Sequence, residues 1–566
     1  MRQLDLFQKL KSNTKKMKQI NFILIIASLF SGVTFAQTKK SSTPKTQFVW
    51  ESANVYFIVT DRFNNGDKNN DQTYNRNKPT GMLRGFEGGD IRGIIQKLDE
   101  GYFTNLGINV IWMTPIVEQI HDGVDEGTGF TYGFHGYWTR DWTAMDPSFG
   151  TRKDLTELVQ KAHALGIKIM LDAVINHTGP VTPEDSVYPN DWVRTAPKCT
   201  YQSYDTYINC TLVENLPDVL TESNENVELP SSLTNKWKKE GRYDKEVASL
   251  DTFFKKTGYP RAPKYYIMKW LSDYITDFGI DGYRVDTVKH TTEDIWADFK
   301  KVCDRAFAEY KKNNPKKVMD NSPFFTVGEV YGYNISGKKF YDFGDKKVNY
   351  FENGFTGLIN FDFRNEAKMN YEELFSKYSN ILQNDLKGNT VMNYVSSHDD
   401  SYPFDKKREK TFESGTKLLL APGISQLYYG DESARSLDIE GTQGDATLRS
   451  NMNWDDISNK AETKEVLAHW QKLGLFRKNH PAVGAGVHTQ ISASPYLFSR
   501  TFIKGKYSDK VVVGLDLPVG EKSIPVGNIF PNGCKVKDAY SGKTATVTKG
   551  KVNLNTDFGI VLLEKN

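Results

Sequence analysis

Residues 282–290 read Gly282-Tyr283-Arg284-Val285-Asp286-Thr287-Val288-Lys289-His290. They continue a short apolar strand that begins near Gly279 and end in a polar tip. Strand side chains alternate between faces, so Arg284 and Asp286 share one. An arginine beside a carboxyl lowers its pKa and keeps it ionised. An ionised carboxylate at the carboxyl end of a strand is what a covalent nucleophile requires. Alone, the same residues would make an ordinary surface ion pair. Three further segments change that reading: Asp172-Ala173-Val174-Ile175-Asn176-His177, Val327-Gly328-Glu329-Val330-Tyr331 and Val395-Ser396-Ser397-His398-Asp399. Each places acids or histidines at the end of a short apolar run.

Outward from these tips the chain alternates strand and helix. Strands are expected at Val55–Val59, Val110–Met113, Ile167–Leu171, Ile280–Tyr283, Phe324–Val327, Leu358–Phe363, Val391–Val395 and Ser425–Tyr429. Between the second and third, Thr151 and Asp154 form a capping-box start, followed by Leu155, Leu158, Val159, Ala162 and Leu165 at helical spacing. Another helix runs from about Lys264 to Phe278 and stops at Gly279. This rhythm predicts a parallel α/β fold, which periodicity alone leaves open between a closed barrel and a doubly wound sheet. Residues 178–263 interrupt it and are too long for an ordinary connection, so they read as an inserted subdomain. From about Gly484 the pattern changes to short strands at Tyr496–Ile503, Lys510–Leu515, Lys535–Ala539 and Ile560–Leu563, a small β-sandwich domain.

The 566 residues suffice for more than one domain. Lys and Arg total 73 against 70 Asp and Glu, a net charge of +3, which is no signature of nucleic-acid binding. At the N-terminus, Lys15, Lys16 and Lys18 precede the apolar run Phe22–Phe30, with a cleavage expected after Ala36. The run is short for a membrane span, so residues 1–36 read as a removed signal and 37–47 as a polar linker, with no membrane anchor afterwards. Of four cysteines, Cys199 and Cys210 lie close together in a polar, loop-like region and are the expected disulfide; Cys303 and Cys534 read as separate thiols.

In order, the tips at 172–177, 282–290, 327–331 and 395–399, with Leu216-Pro217-Asp218-Val219, resemble the short motifs of the α-amylase family, glycoside hydrolase family 13. Tyr429-Gly430-Asp431-Glu432-Ser433-Ala434-Arg435 and Arg449-Ser450-Asn451-Met452-Asn453-Trp454 extend the similarity, with the periplasmic α-amylases of Gram-negative bacteria as the most similar group. The resemblance runs from about Val49 to the C-terminus and implies a (β/α)₈ barrel. That barrel would comprise residues 48–177 and 264–480, with subdomain B at 178–263 and a C-terminal antiparallel β domain at 484–566. Barrel sites lie at the carboxyl ends of the strands, where these motifs fall.

The resemblance also implies roles. Asp286 would be the nucleophile, Glu329 the general acid and Asp399 the third carboxylate, with Asp172 supporting Arg284. His135, His177 and His398 would bind the ring on which Tyr137 stacks; Lys289 and Tyr331 would meet leaving-side sugars, and Asp445 and Arg449 donor-side sugars. Thr60–Asp71 is a loop dense in oxygen donors, which suits calcium, although alone it would also read as an Asn/Gly/Asp turn. Family members imply a calcium held by Asn65, Asp67, Asn70, Asp71, the Gly88 carbonyl and Asp90, and a second by Asn176, Asp218 and the His290 carbonyl. Ser397 stands where many members carry Asn. The implied protein is an exported, monomeric α-amylase, periplasmic or secreted, acting with retention inside α-1,4-glucans. The alternatives are a transglycosylase of the cyclodextrin-forming type, an α-1,6 debranching enzyme and a non-catalytic glucan-binding relative.

Overall fold

The computed structural model describes residues 47–566; the expected signal and nearly all of the polar linker lie outside them. Eight strands close into a barrel: β1 (Asn54–Ile58), β2 (Val110–Met113), β3 (Lys168–Ala173), β4 (Gly282–Val285), β5 (Phe325–Gly328), β6 (Gly357–Asn360), β7 (Thr390–Asn393) and β8 (Ile424–Tyr428). Each pairs in parallel with its sequence neighbours, and β1 pairs with both β2 and β8. Every residue of these strands is buried. Burial on both faces is why they read as unbroken apolar runs and not as alternating ones.

The helices follow from their caps. In α1 (Arg152–Ala164) Thr151 and Asp154 form the capping box, and Leu155, Leu158, Val159 and Ala162 make the buried stripe. Helix α2 (Pro263–Phe278) has proline in its first turn and ends at Gly279, whose φ of 76° suits the left-handed cap. A Cβ at Gly279 would stand 2.1 Å from a ring carbon of Tyr310, so packing as well as backbone requires glycine there.

Strand ends differ from the expected ones by up to a few residues. β4 starts at Gly282, not Ile280. β6 stops at Asn360, because Phe363 already opens a helical turn, Phe363–Glu366. Residues 178–263 hold helices Ser231–Lys239 and Tyr243–Thr257 and a small pairing of Val193–Arg194 with Asp218–Val219. Their aromatic residues, including Trp192 and Trp237, join the main hydrophobic core. Cys199 and Cys210 form a disulfide, while Cys303 and Cys534 are free.

After α3 (Ala461–Asn479) the chain forms β9 (Val487–Ser492), β10 (Tyr496–Lys504), β11 (Tyr507–Leu515), β12 (Gly520–Pro525), β13 (Lys535–Asp538), β14 (Thr544–Thr546), β15 (Lys551–Thr556) and β16 (Val561–Lys565). Six make one sheet in the order β9-β10-β11-β16-β13-β14, and β12 pairs with β15. Ile524, Val552 and Leu554 of the pair meet Val512, Val536 and Leu563 of the sheet in a separate core, a small sandwich. Half of these strands escaped the sequence reading. β15 shows why: Lys-Val-Asn-Leu-Asn-Thr buries only alternate residues. Among the described residues no helix is long and apolar enough to cross a membrane.

Candidate active site at the carboxyl end of the barrel

The register of β3 and β4 sets Arg284 opposite Asp172. From there the Arg284 guanidinium reaches three carboxyls. Nη1 lies 3.0 Å from Asp172 Oδ1 and 2.6 Å from Asp286 Oδ1, and Nη2 lies 3.6 Å from Glu329 Oε2. Arg284 is only 1% exposed, so water screens none of this. Asp286 and Glu329 follow the ends of β4 and β5, and backbone bonds fix both: Asp286 N–H donates to the Ala173 carbonyl and Glu329 N–H to that of Val285.

One cation among three buried carboxyls leaves surplus negative charge, which a carboxyl relieves by keeping its proton. Glu329 does so: burial first, then the charges of Asp286 and Asp399, raise its pKa to about 8 against the pull of Arg284. Asp172 is also raised, chiefly by burial. Its oxygens accept from Arg284, from Tyr137 Oη at 2.9 Å and from Trp112 Nε1 at 3.3 Å.

Thr287 has φ of 50°, a strained conformation for a β-branched residue. That turn aims its N–H at Glu329 Oε2, 2.7 Å away. With Oε2 accepting, the Glu329 proton belongs on Oε1. Asp399 is the opposite case. Burial would raise it, but His398 and then Arg449 and Arg284 override that and hold it well below the usual carboxylate range. Arg449 Nη2 is 2.7 Å from one oxygen and His398 Nε2 2.9 Å from the other, while 40% of the side chain stays open to the cleft.

The remaining expected residues gather around these acids. Tyr137 stacks against His398 at 5.5 Å between ring centres and against His135 at 5.8 Å. Tyr137 N–H donates to His135 Nδ1, and His177 Nε2 meets the Tyr137 carbonyl at 3.1 Å. Asp445 pairs with Arg449 at 2.6 Å. Lys289 donates to the Tyr331 carbonyl at 2.9 Å. Trp112, Phe361 and Asp400 also line the pocket. Sequence reasoning passed over them because Trp and Phe at strand ends read as core, and Asp400 is masked by its neighbour Asp399.

Residues 57–472 match the model of the alpha amylase catalytic domain. The chain belongs to the α-amylase family. It is accordingly a glycoside hydrolase. It is 34% identical to the periplasmic alpha-amylase of Escherichia coli over 86% of this chain and 75% of that one. It is 27% identical to a cyclomaltodextrin glucanotransferase of Niallia circulans over 88% of this chain and 64% of the relative. Among solved structures, an Anoxybacillus alpha-amylase shares the fold with TM-score 0.62 and 24% identity, covering 92% of this chain and 99% of its own.

Two corners of this α-amylase-family enzyme are rich in oxygen. In the first, Asp90 accepts from the N–H groups of Gly66 and Asp67 and from Asn70 Nδ2, and Asn65 Nδ2 donates to Asp71 at 2.8 Å. Asn65 Oδ1 and Asn70 Oδ1 are buried without a partner. A Cβ at Gly88 would lie 2.4 Å from Asn65 and 2.7 Å from Asp71, so the Gly88 backbone sits in this corner. In the second, Asn176 Oδ1 and Asp218 Oδ1 are likewise buried and unpartnered. The other Asp218 oxygen is 2.9 Å from Arg194 Nε. Burial pushes the Asp218 carboxyl well up. His290 anchors the neighbouring turn through Nδ1, 3.1 Å from the Tyr207 carbonyl. Buried oxygens without donors cost about 1–3 kcal/mol each, and both corners fit a hard cation. Among the described residues no three His, Cys, Asp or Glu side chains converge on a metal position, so amide and carbonyl oxygens would have to complete either site beside its carboxylates.

Proposed function

We propose that the protein is a retaining, endo-acting α-amylase that hydrolyses α-1,4-glucosidic bonds of starch, glycogen or maltodextrins by double displacement. The observation that carries this reading is one buried guanidinium, Arg284, against both Asp286 and Glu329. One cation facing both carboxyls sets the paired acids of glycosidic cleavage at one rim of the barrel, and retention requires them about 5–5.5 Å apart. Asp286 attacks the anomeric carbon while the Glu329 proton passes to the leaving oxygen, freeing the leaving sugar. Glu329 then takes a proton from water, whose oxygen displaces Asp286 from the same carbon. Asp399, kept ionised by Arg449 and His398, holds ring hydroxyls and stabilises the oxocarbenium-like transition state. Tyr137 supplies the stacking face, with His135 and His177 beside it. Asp445 and Arg449 serve the donor side, Lys289 and Tyr331 the leaving side.

Calcium is part of this proposal. Asn65, Asp67, Asn70, Asp71, the Gly88 carbonyl and Asp90 would hold one ion; Asn176, Asp218 and the His290 carbonyl would hold another. Their chemistry is structural, neutralising buried oxygens and tying loops to the barrel. The basic and apolar N-terminus and the periplasmic relative support export to the periplasm or beyond.

Maltoheptaose tests the reaction. Linear shorter products appearing first as the α-anomer are expected, and Asp286→Asn should lower kcat by at least a thousandfold. Cyclic or longer glucans as main products would favour the transglycosylase alternative. Undiminished hydrolysis by the variant would remove Asp286 as nucleophile.

A further inference from the structure

The Lys289 ammonium sits in a cage that the reaction scheme leaves unexplained. Its Nζ lies 4.8, 5.5 and 5.2 Å from the ring centres of Tyr207, Tyr331 and Tyr341. Two of its N–H groups are spent, one on the Tyr331 carbonyl at 2.9 Å and one on Tyr341 Oη at 3.0 Å. An ammonium has three donors, and among the described residues Lys289 meets no carboxylate within ion-pair distance. We propose that Tyr341 is a positioning residue for leaving-side sugars, its hydroxyl holding the Lys289 ammonium so that the third N–H is kept for a sugar hydroxyl. The inference rests on the hydrolase reading of the site.

Tyr341 is itself firmly held. It belongs to a hairpin in which Tyr341–Asp342 pairs with Lys347–Val348. Its ring packs on Phe343 at 4.8 Å, and Phe343 packs at 5.1 Å on both Tyr204 and Tyr207, inside the loop closed by the Cys199–Cys210 disulfide. Lys346 ties the hairpin to Glu293 at 2.7 Å. The cage stands on the side of the general acid, because Tyr331 follows Glu329 by two residues. Tyr331 is half exposed and leans on Phe361 at 4.9 Å, offering an apolar face beside the ammonium. A lysine stem is flexible, and fixing its head beforehand spares the sugar that ordering cost.

The test compares maltoheptaose with α-maltotriosyl fluoride, which has no leaving-side sugar. In Tyr341→Phe, kcat/KM on maltoheptaose should fall about tenfold or more, mostly through KM, as loss of a hydrogen bond to a charged group implies. On the fluoride it should stay within about twofold, which also reports a folded site. Lys289→Ala should lose at least as much on maltoheptaose, and adding Tyr341→Phe to it should cost nothing more, the non-additivity of residues acting as a unit. Unchanged rates on both substrates, equal losses on both, or additive losses in the double variant would each overturn the proposal. Failure of the parent to turn over either substrate would overturn the hydrolase reading, and the proposal with it.

Discussion

Glu329 and Asp286 are both acids at strand ends, and the proposed chemistry needs them in opposite protonation states. Their contacts differ. Asp286 touches Arg284 Nη1 at 2.6 Å, whereas Glu329 is a full ångström further from Nη2 and takes its closest contact from a neutral Thr287 amide. A general acid works only while protonated, so its raised pKa sets the upper pH limit. kcat/KM on maltodextrins should fall at least tenfold per pH unit above about pH 8, where Glu329 loses its proton and the Lys289 ammonium, lowered by burial to about 8, begins to lose its own. Glu329→Gln should be nearly inactive on maltodextrins, yet retain a pH-flat residual rate on a glycosyl fluoride, whose leaving group needs no proton. A descending limb already complete by pH 6 would remove Glu329 as the acid. The strained Thr287 backbone, φ 50°, is part of the same device, since it turns an amide onto one Glu329 oxygen and leaves the other for the proton.

The elements show what a sequence can disclose. Barrel strands were legible because both faces are buried and the apolar runs are continuous; β12 and β15 were not, because a two-stranded layer buries only alternate residues. The acids were legible because they end those runs in recurrent short motifs. The contact of Arg449 with Asp399 was not, since 50 residues separate them and it forms only between the loops that follow the paired strands β7 and β8. The Tyr207–Tyr331–Tyr341 cage was hidden for the same reason. The loop Thr60–Asp71 is an intermediate case. Its oxygen-rich composition was plain, but only the structure reveals Asn65 Oδ1 and Asn70 Oδ1 buried without donors. An ion bound there only in the folded state stabilises by about 2.7 kcal/mol at a hundredfold excess over its Kd. Excess chelator should therefore lower the melting temperature by several degrees, with readdition of calcium restoring it. Protein stripped of metal, verified by elemental analysis, that melts like the calcium-saturated form would dispose of the structural ion.

At the scale of the whole molecule, the barrel and the β-sandwich meet at a histidine. His480 follows α3, and both its ring nitrogens face carboxylates of the sandwich: Nδ1 lies 2.9 Å from Asp509 on β11 and Nε2 2.7 Å from Glu564 on β16. Two acceptors require two donors, so the ring is an imidazolium. Burial opposes that charge, but the two carboxylates prevail and raise the pKa from 6.5 to about 9. A group whose folded pKa is raised contributes stability that is complete below its unfolded pKa and disappears as pH rises through the folded value. The clamp should therefore contribute about 3 kcal/mol up to pH 6.5 and lose it by about pH 10. Lys537 Nζ lies 3.7 Å from Glu564 Oε1, and burial lowers Lys478, two residues before His480. A variant is needed to isolate the histidine. Urea unfolding of the parent and of His480→Gln, followed by tryptophan fluorescence, should differ by about 2–3 kcal/mol at pH 6.5 and converge by pH 10. Curves that keep a constant offset across that range would mean that the contact at this junction is packing and not charge.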